Sequence, residues 1–411
     1  MRATGITAEY NPLHNGHVHH LEQARAVTGA DAVVVAMSGD CVQRGEPAIM
    51  DKWIRTELAL KSGADLVIEI PALFCLGNAG QYAEAGVRLL ESTGKISHIA
   101  FGSESGNAEE LIRIASFLKD RHDEIEKRAK ELRGTGMSYP AARAAAFSEV
   151  RAAVKGTEAS SDEEIGNELL ALQSPNNILG IEYIKSMRSA KPVVIRRSGA
   201  GYHDPYDDKI RFQSASAIRK QVLNGQDVEA CVPDHTAKAL REAHLTGPDL
   251  DKWFDSLRYA VLSTDADVIE DCPSGGEGLA NLMKSAVSGA DCWSEFIEQI
   301  KSKRYTYTRL SRLCMQLLLG ITRSRYSITE PGYIRVLGFT EKGRELLAEM
   351  RDDGSASLPV IINVNKSRDG LSQEAKALLD LDMRAADVYN LMTGRDMASE
   401  SDHRRGPVII R

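Results

Sequence analysis

The segment Glu9-Tyr10-Asn11-Pro12-Leu13-His14-Asn15-Gly16-His17 joins an apolar run, Ala3 to Tyr10, to an amphipathic stretch, Gly16 to Ala26. A strand that passes directly into a helix is the opening of a strand-helix-strand unit, and the next hundred residues repeat it. Ala32 to Met37, Asp65 to Ile70 and His98 to Phe101 are predicted strands; Met50 to Lys61, Gly80 to Leu90 and Asn107 to Leu118 are predicted helices. The strand segments are nearly all apolar, as expected when helices cover both faces of a parallel sheet. The expected class is α/β.

Residues 119 to 190 read as a mostly helical insertion. Lys191 to Arg197 then returns to β character, and Ser214 to Leu223 reads as a helix, so a fifth strand completes the same domain. Past residue 226 the β-α alternation stops. That predicts a boundary between 1–225 and a mainly helical 226–411, with helices near 250–262, 277–300 and 306–320, another from Glu341 to Met350, a short β-like Leu358 to Val364, and a terminal dozen residues read as a surface tail.

The 51 basic and 58 acidic residues give a net charge of -7, which excludes a uniformly basic nucleic-acid coat. No apolar run approaches the roughly 18 residues of a membrane span, and the chain starts on a strand-like segment, so a cytoplasmic protein is expected. The six cysteines form no CxxC pair, and no metal site is expected.

At the carboxyl end of a parallel strand a ligand meets the next helix N-terminus, whose unpaired N–H groups and dipole favour phosphate. His14 and His17 are three apart and face the same ligand from the first turn, while Gly16 permits close backbone approach. Ser214 and Ser216 open a later helix, with Arg219 one turn on as a charge partner; Ser214 alone is equally readable as an N-cap. There is no GxxxxGK[ST] loop and no GxGxxG turn, so neither a P-loop NTPase nor a dinucleotide enzyme is supported.

His14-Asn15-Gly16-His17 resembles the HxGH motif of the nucleotidyltransferase superfamily, and Ser214-Ala215-Ser216-Ala217-Ile218-Arg219 its second signature. Longer strings are more specific: Ser38-Gly39-Asp40, Gln43 to Ala48, Phe101-Gly102-Ser103-Glu104, Ser174 to Gly180 and Gly199 to Asp204. With the start of the chain they resemble the bacterial tRNA(Met) cytidine acetate ligase family over nearly the whole length. The resemblance implies a Rossmann-like nucleotidyltransferase domain. It also implies ATP, with Mg2+, and acetate as substrates, acetyl-adenylate as intermediate, and transfer to N4 of the wobble cytidine of elongator tRNA(Met).

On that resemblance Thr7, Ala8, Glu9, Tyr10, Asn11, Pro12, Leu13, His14, Asn15, Gly16, His17, Val18, His19 and His20 form the ATP loop. Gly102, Asn176, Arg197, Ser214, Ser216 and Arg219 add nucleotide contacts, with Arg196 competing for the role of Arg197. His14, His17, Arg219 and Asp40 are the expected catalytic set; Asp40, Arg44 and Glu46 orient the cytidine amine, contact tRNA or only brace their loop, with positioning favoured over proton abstraction. Lys52 and Arg55 read either as substrate contacts or as solvated helix residues, and Cys41 is not expected to act as a nucleophile.

The interval 301–325 holds seven basic residues and no acidic one. Within it Lys301, Lys303, Arg304, Tyr305, Tyr307, Arg309 and Arg312 form the expected RNA-binding element, the tyrosines stacking on bases and the cations on phosphates. A basic helix with its leucines packed inward explains the same residues. Two other functions fit the motifs: nucleotidyl transfer to a small cofactor precursor, and non-catalytic binding of nucleotide or RNA.

Overall fold

A computed structural model describes residues 1–154, 162–197, 212–242 and 250–411. Five strands lie parallel: β1 (Ala3–Ala8), β2 (Ala32–Ser38), β3 (Leu66–Ile70), β4 (Ile96–Ser103) and β5 (Lys191–Arg196), in the spatial order β5-β4-β1-β2-β3. Side chains alternate between the two faces. Val34, Ala36, Leu66 and Ile68 pack with Leu89 and Leu90 of the helix Ala79–Ser92 on one face. Val33, Val35, Met37 and Val67 pack with Leu21 of α1 (Asn15–Thr28) and Leu58 of α2 (Lys52–Lys61) on the other.

From β1 the chain moves outward to β2 and β3 and then returns to place β4 on the opposite side of β1. Such a reversal opens a crevice beyond the carboxyl ends of β1 and β4. The motif residues gather there.

The expected break near residue 226 does not divide the sheet. β6 (Ile334–Phe339) pairs antiparallel with β3, and β7 (Val360–Ile361) and β8 (Val408–Ile409) pair with β6. The expected helix at 277–300 is two, Leu279–Ala286 and Trp293–Ile300, and the helix Gln373–Thr393 was not foreseen.

The terminal dozen residues are not a surface tail. Besides β8 they supply Asp402, 1% exposed, which accepts hydrogen bonds from Lys52 Nζ at 2.6 Å, Trp53 Nε1 at 3.1 Å and Arg335 Nη2 at 2.9 Å. Lys52 also donates to Glu69 at 2.8 Å, and Arg335 pairs with the same carboxylate at 2.8 Å. Lys52 is thus a buried structural cation, neither a solvated helix residue nor a substrate contact.

Candidate active site

Gly16 begins the second position of α1, and its neighbour His14 is the N-cap in extended conformation. The His14 Nδ1 accepts from Gly16 N–H at 3.1 Å, and His17 Nδ1 accepts from His14 N–H at 3.3 Å. The two rings stack at 3.7 Å. A Cβ on residue 16 would stand 2.9 Å from His14 Cε1, which explains the glycine. Burial first, then the Arg197 and Arg219 charges, pushes His14 down to about 3, and burial with the His14 neighbour pushes His17 well below its ordinary value. Both imidazoles are neutral near pH 7. With each Nδ1 accepting, the proton sits on Nε2, so both rings keep one N–H to donate.

The turn ahead of them is held from below. Tyr10 takes φ 47°, and the Asn11-Pro12 bond is cis. Arg55, fully buried, donates to the carbonyls of Glu9 at 2.7 Å, Ser38 at 3.0 Å and Met50 at 2.9 Å, and also to that of Gly39. One guanidinium therefore ties the loop after β1 to the loop after β2. Asn11 Oδ1 accepts from Ile49 N–H at 2.7 Å, and Arg219 donates to the Asn11 carbonyl at 2.8 Å.

These elements enclose a cavity of about 370 Å³. Of the expected nucleotide residues it is lined by Thr7, Ala8, Glu9, Tyr10, Asn11, His14, Gly16, His17, His19, His20, Gly102, Asn176 and Arg197. Tyr10 Oη and His20 Nε2 are buried without a hydrogen-bond partner among the described residues. Arg196 and Arg197 both line it: the Arg197 stem crosses Gly102, where a Cβ would stand 3.2 Å from its Cγ, while Arg196 lies over Gly106. Asn176 is oriented by Glu104, to which it donates at 2.6 Å.

Other expected residues fall outside this lining. Leu13 is buried in the core, Asn15 donates to the Ala230 carbonyl, and Val18 packs beneath the sheet. Pro12 follows the cis bond. Ser214 caps the helix Ala215–Leu223 by accepting from Ala217 N–H at 3.2 Å and lies 3.3 Å from Ser216 Oγ; its neighbours Gln213 and Ala215 reach the cavity. Asp40 is buried away from the cavity, accepting from Lys52 N–H at 2.8 Å, and is placed to brace its loop. Burial pushes the Cys41 thiol up to about 12. The 199–204 motif lies outside the described residues.

A second cavity, about 710 Å³, adjoins the first across Gln43, Ala79 and Thr308, which line both. Arg304, Arg309 and Arg312 reach it from the expected basic element, joined by Arg133, Arg143 and Arg323. Arg133, Arg304 and Arg309 converge on Glu277 at 2.7, 3.4 and 2.8 Å. Lys301 and Lys303 are exposed away from this lining. Tyr305 lies under Arg309 and donates its hydroxyl to the Glu277 carbonyl at 2.7 Å, and Tyr307 packs against the helical core. Arg133 ends a segment whose basic residues alternate with acids, and Arg143 lies in an alanine-rich stretch, so neither stood out in the sequence. Arg128 pairs with Glu131 and Glu149.

The buried histidines give a pH signature. Unfolded, they bind protons below about pH 6.5. Folded, burial and neighbouring cations delay protonation to about 3 for His14 and about 4 for His20. Their stabilising share is complete above the unfolded value and is lost as pH falls from there, at up to about 1.4 kcal/mol per pH unit for each ring. Urea unfolding of the free protein should show this slope between about pH 6.5 and 4.5, and a His14→Gln, His20→Gln double variant should flatten it; an equal slope in both proteins would contradict it.

Among the described residues no group of three or more acidic, histidine or cysteine side chains forms a metal site, and no helix is long and apolar enough to cross a membrane. The chain matches the family model described as HIGH Nucleotidyl Transferase over residues 1–404. It is 37% identical over 425 residues to the tRNA(Met) cytidine acetate ligase of Clostridium novyi, covering 100% of both chains. It is 38% identical over 401 residues to that of Caldanaerobacter subterraneus, covering 95% of each. The crystal structure of Thermotoga maritima TmcAL superposes with a TM-score of 0.91 at 32% identity, covering 100% of both chains. The form bound with alpha-thio ATP gives 0.88 at the same identity and coverage.

Proposed function

The chain belongs to the bacterial tRNA(Met) cytidine acetate ligase family, and on that premise we propose how its two adjoining cavities divide the work. The enzyme carries out ATP-dependent acetylation of the wobble cytidine 34 of tRNA. Acetate attacks the α-phosphate of ATP and pyrophosphate leaves. The cytidine N4 then attacks the acetyl carbonyl of acetyl-adenylate, yielding N4-acetylcytidine and AMP. A carboxylate is a poor acyl donor until adenylation supplies a leaving group, so no enzyme nucleophile is required.

The 370 Å³ cavity holds ATP and acetate. His14 and His17 donate Nε2–H to the phosphoryl oxygens as charge builds there, with the N-terminus of α1 behind them. Arg197 and Asn176 contact the nucleotide beside Gly102. Arg219, fixed by the Asn11 carbonyl and near Glu46 at 3.7 Å, supplies positive charge for the triphosphate, with the Ser214–Ser216 helix start opposite the outer phosphates. Among the described residues the lining offers a single carboxylate, and Mg2+ would enter with ATP as its counter-ion. Residues 1–225 thus carry the nucleotide chemistry, and 226–411 chiefly carry elongator tRNA(Met). The reaction is placed in the cytoplasm, where ATP, acetate and tRNA meet.

The observation that carries this reading is the adjacency of the two cavities: an arginine-lined cleft adjoins the phosphate site across Gln43, Ala79 and Thr308. It serves a polyanion despite the net charge of -7, because RNA affinity follows local charge. Incubation with MgATP, labelled acetate and tRNA(Met), followed by nucleoside analysis, should yield labelled N4-acetylcytidine; none formed by folded protein that binds both substrates would refute it. An Arg309→Gln, Arg312→Gln variant should bind tRNA about tenfold more weakly, with a shallower salt dependence, while acetate-dependent pyrophosphate exchange changes less than about twofold.

A further inference from the structure

Glu9 is the only carboxylate on the lining of the nucleotide cavity among the described residues. The rest of that lining is built for a polyanion: four histidines, Arg44, Arg196 and Arg197. A carboxylate there opposes the charge of ATP and needs another reason to be present. Its position supplies one. Glu9 Oε1 accepts from Gln43 N–H at 2.8 Å, and Gln43 is one of the three residues shared by the two cavities. No other hydrogen bond engages the carboxylate among the described residues. Glu9 therefore stands beside a residue that lines both the nucleotide cavity and the basic cleft.

We infer that Glu9 is the catalytic base of the second half-reaction, accepting the proton that the cytidine N4 amine loses on acetylation. This rests on the function proposed above. As the N4 lone pair forms the C–N bond, the carbonyl carbon becomes tetrahedral and the nitrogen acidic. Collapse breaks the bond to the phosphate oxygen, AMP departs with that electron pair, and the amine proton passes to Glu9 and then to solvent. His14 and His17 do not fill this role, since their Nδ1 atoms accept backbone N–H groups and their Nε2 atoms carry the protons. Asp40 does not reach the cavity.

The surroundings fit a base. Burial raises the carboxyl, while the Gln43 N–H and the cations Arg219, Arg44 and Arg55 pull it back down; Tyr82 and Tyr183 face it from the helices Ala79–Ser92 and Pro175–Ser186. Its own carbonyl is clamped by Arg55, so the backbone beneath it is fixed.

The test separates the half-reactions. Acetyl transfer from preformed enzyme-bound acetyl-adenylate to tRNA(Met) is measured in single turnover across about pH 5 to 8, beside acetate-dependent ATP–pyrophosphate exchange. In Glu9→Gln, which keeps an acceptor for Gln43 N–H, transfer should fall about a hundredfold or more and lose its pH dependence, while exchange falls far less. Glu9→Asp should transfer slowly yet retain the wild-type rise with pH. The inference is overturned if Glu9→Gln transfers within about fivefold of wild type, if exchange falls as steeply as transfer, or if added Mg2+ restores transfer. Wild-type protein that makes no N4-acetylcytidine would instead sink the proposed function itself.

Discussion

Replacing Asp402 by alanine is expected to lower the unfolding free energy by about 3–5 kcal/mol, because it leaves two buried cations short of a counter-charge. Lys52 and Arg335 are 1% and 2% exposed, and both donate to Asp402 Oδ2. Burial alone would raise the Asp402 carboxyl, but Arg335 and Lys52 hold it down at about 2. Its stabilising share is therefore present above the unfolded carboxylate range near 4 and is lost as pH falls toward 2. Urea denaturation near pH 7 measures the loss; a change below about 1 kcal/mol would show that the cluster is not closed as described. An Asp402→Ala, Lys52→Met double variant should lose less than the sum of the single changes, since it removes one stranded cation along with its partner. The effect should also reach the active site, because Lys52 N–H holds Asp40 in the loop that Arg55 ties to Glu9.

The largest catalytic effect is expected at His17. Its removal takes away one Nε2–H donor, the partner stacked on His14, and the acceptor of His14 N–H. Loss of a single preorganised donor to a developing oxyanion costs about 10²–10³ in rate, or roughly 3–4 kcal/mol. His17→Ala should therefore lower acetate-dependent pyrophosphate exchange by that factor, with kcat falling more than KM for ATP rises, because the donor matters most when charge has built up. Exchange at the wild-type rate would remove His17 from the phosphate site.

Much of the site was legible because its parts are local. His14, Gly16 and His17 sit within one helical turn after one strand, and the helix N-cap geometry that orients them is encoded in the same few residues. Arg197 and Asn176 entered through resemblance and do line the cavity. Asp40 carried the right chemistry in a motif loop, yet the loop folds so that its carboxylate points at Lys52. Glu9 lay inside the recognised segment, but its distinction as the lone carboxylate of the cavity among the described residues depends on which residues the other elements bring beside it. Tyr305 and Tyr307 looked like stacking rings in a basic stretch; one is covered by arginine and the other packs on the helical core.

The sequence by itself determined the five parallel strands, the helices between them, and the strand-to-helix turn where phosphate chemistry resides. Each depends on the periodicity of near neighbours and on backbone groups exposed at a helix start. Only the tertiary structure decided that β6, β7 and β8 extend the same sheet, that Asp402 closes a buried charge cluster, and that Arg133 and Arg143 face Arg309 and Arg312 across one cleft. Those facts join residues hundreds of positions apart. A short edge strand or a single acid has no periodicity of its own, and its place is set by burial and pairing energies that exist only once the partner surface has formed.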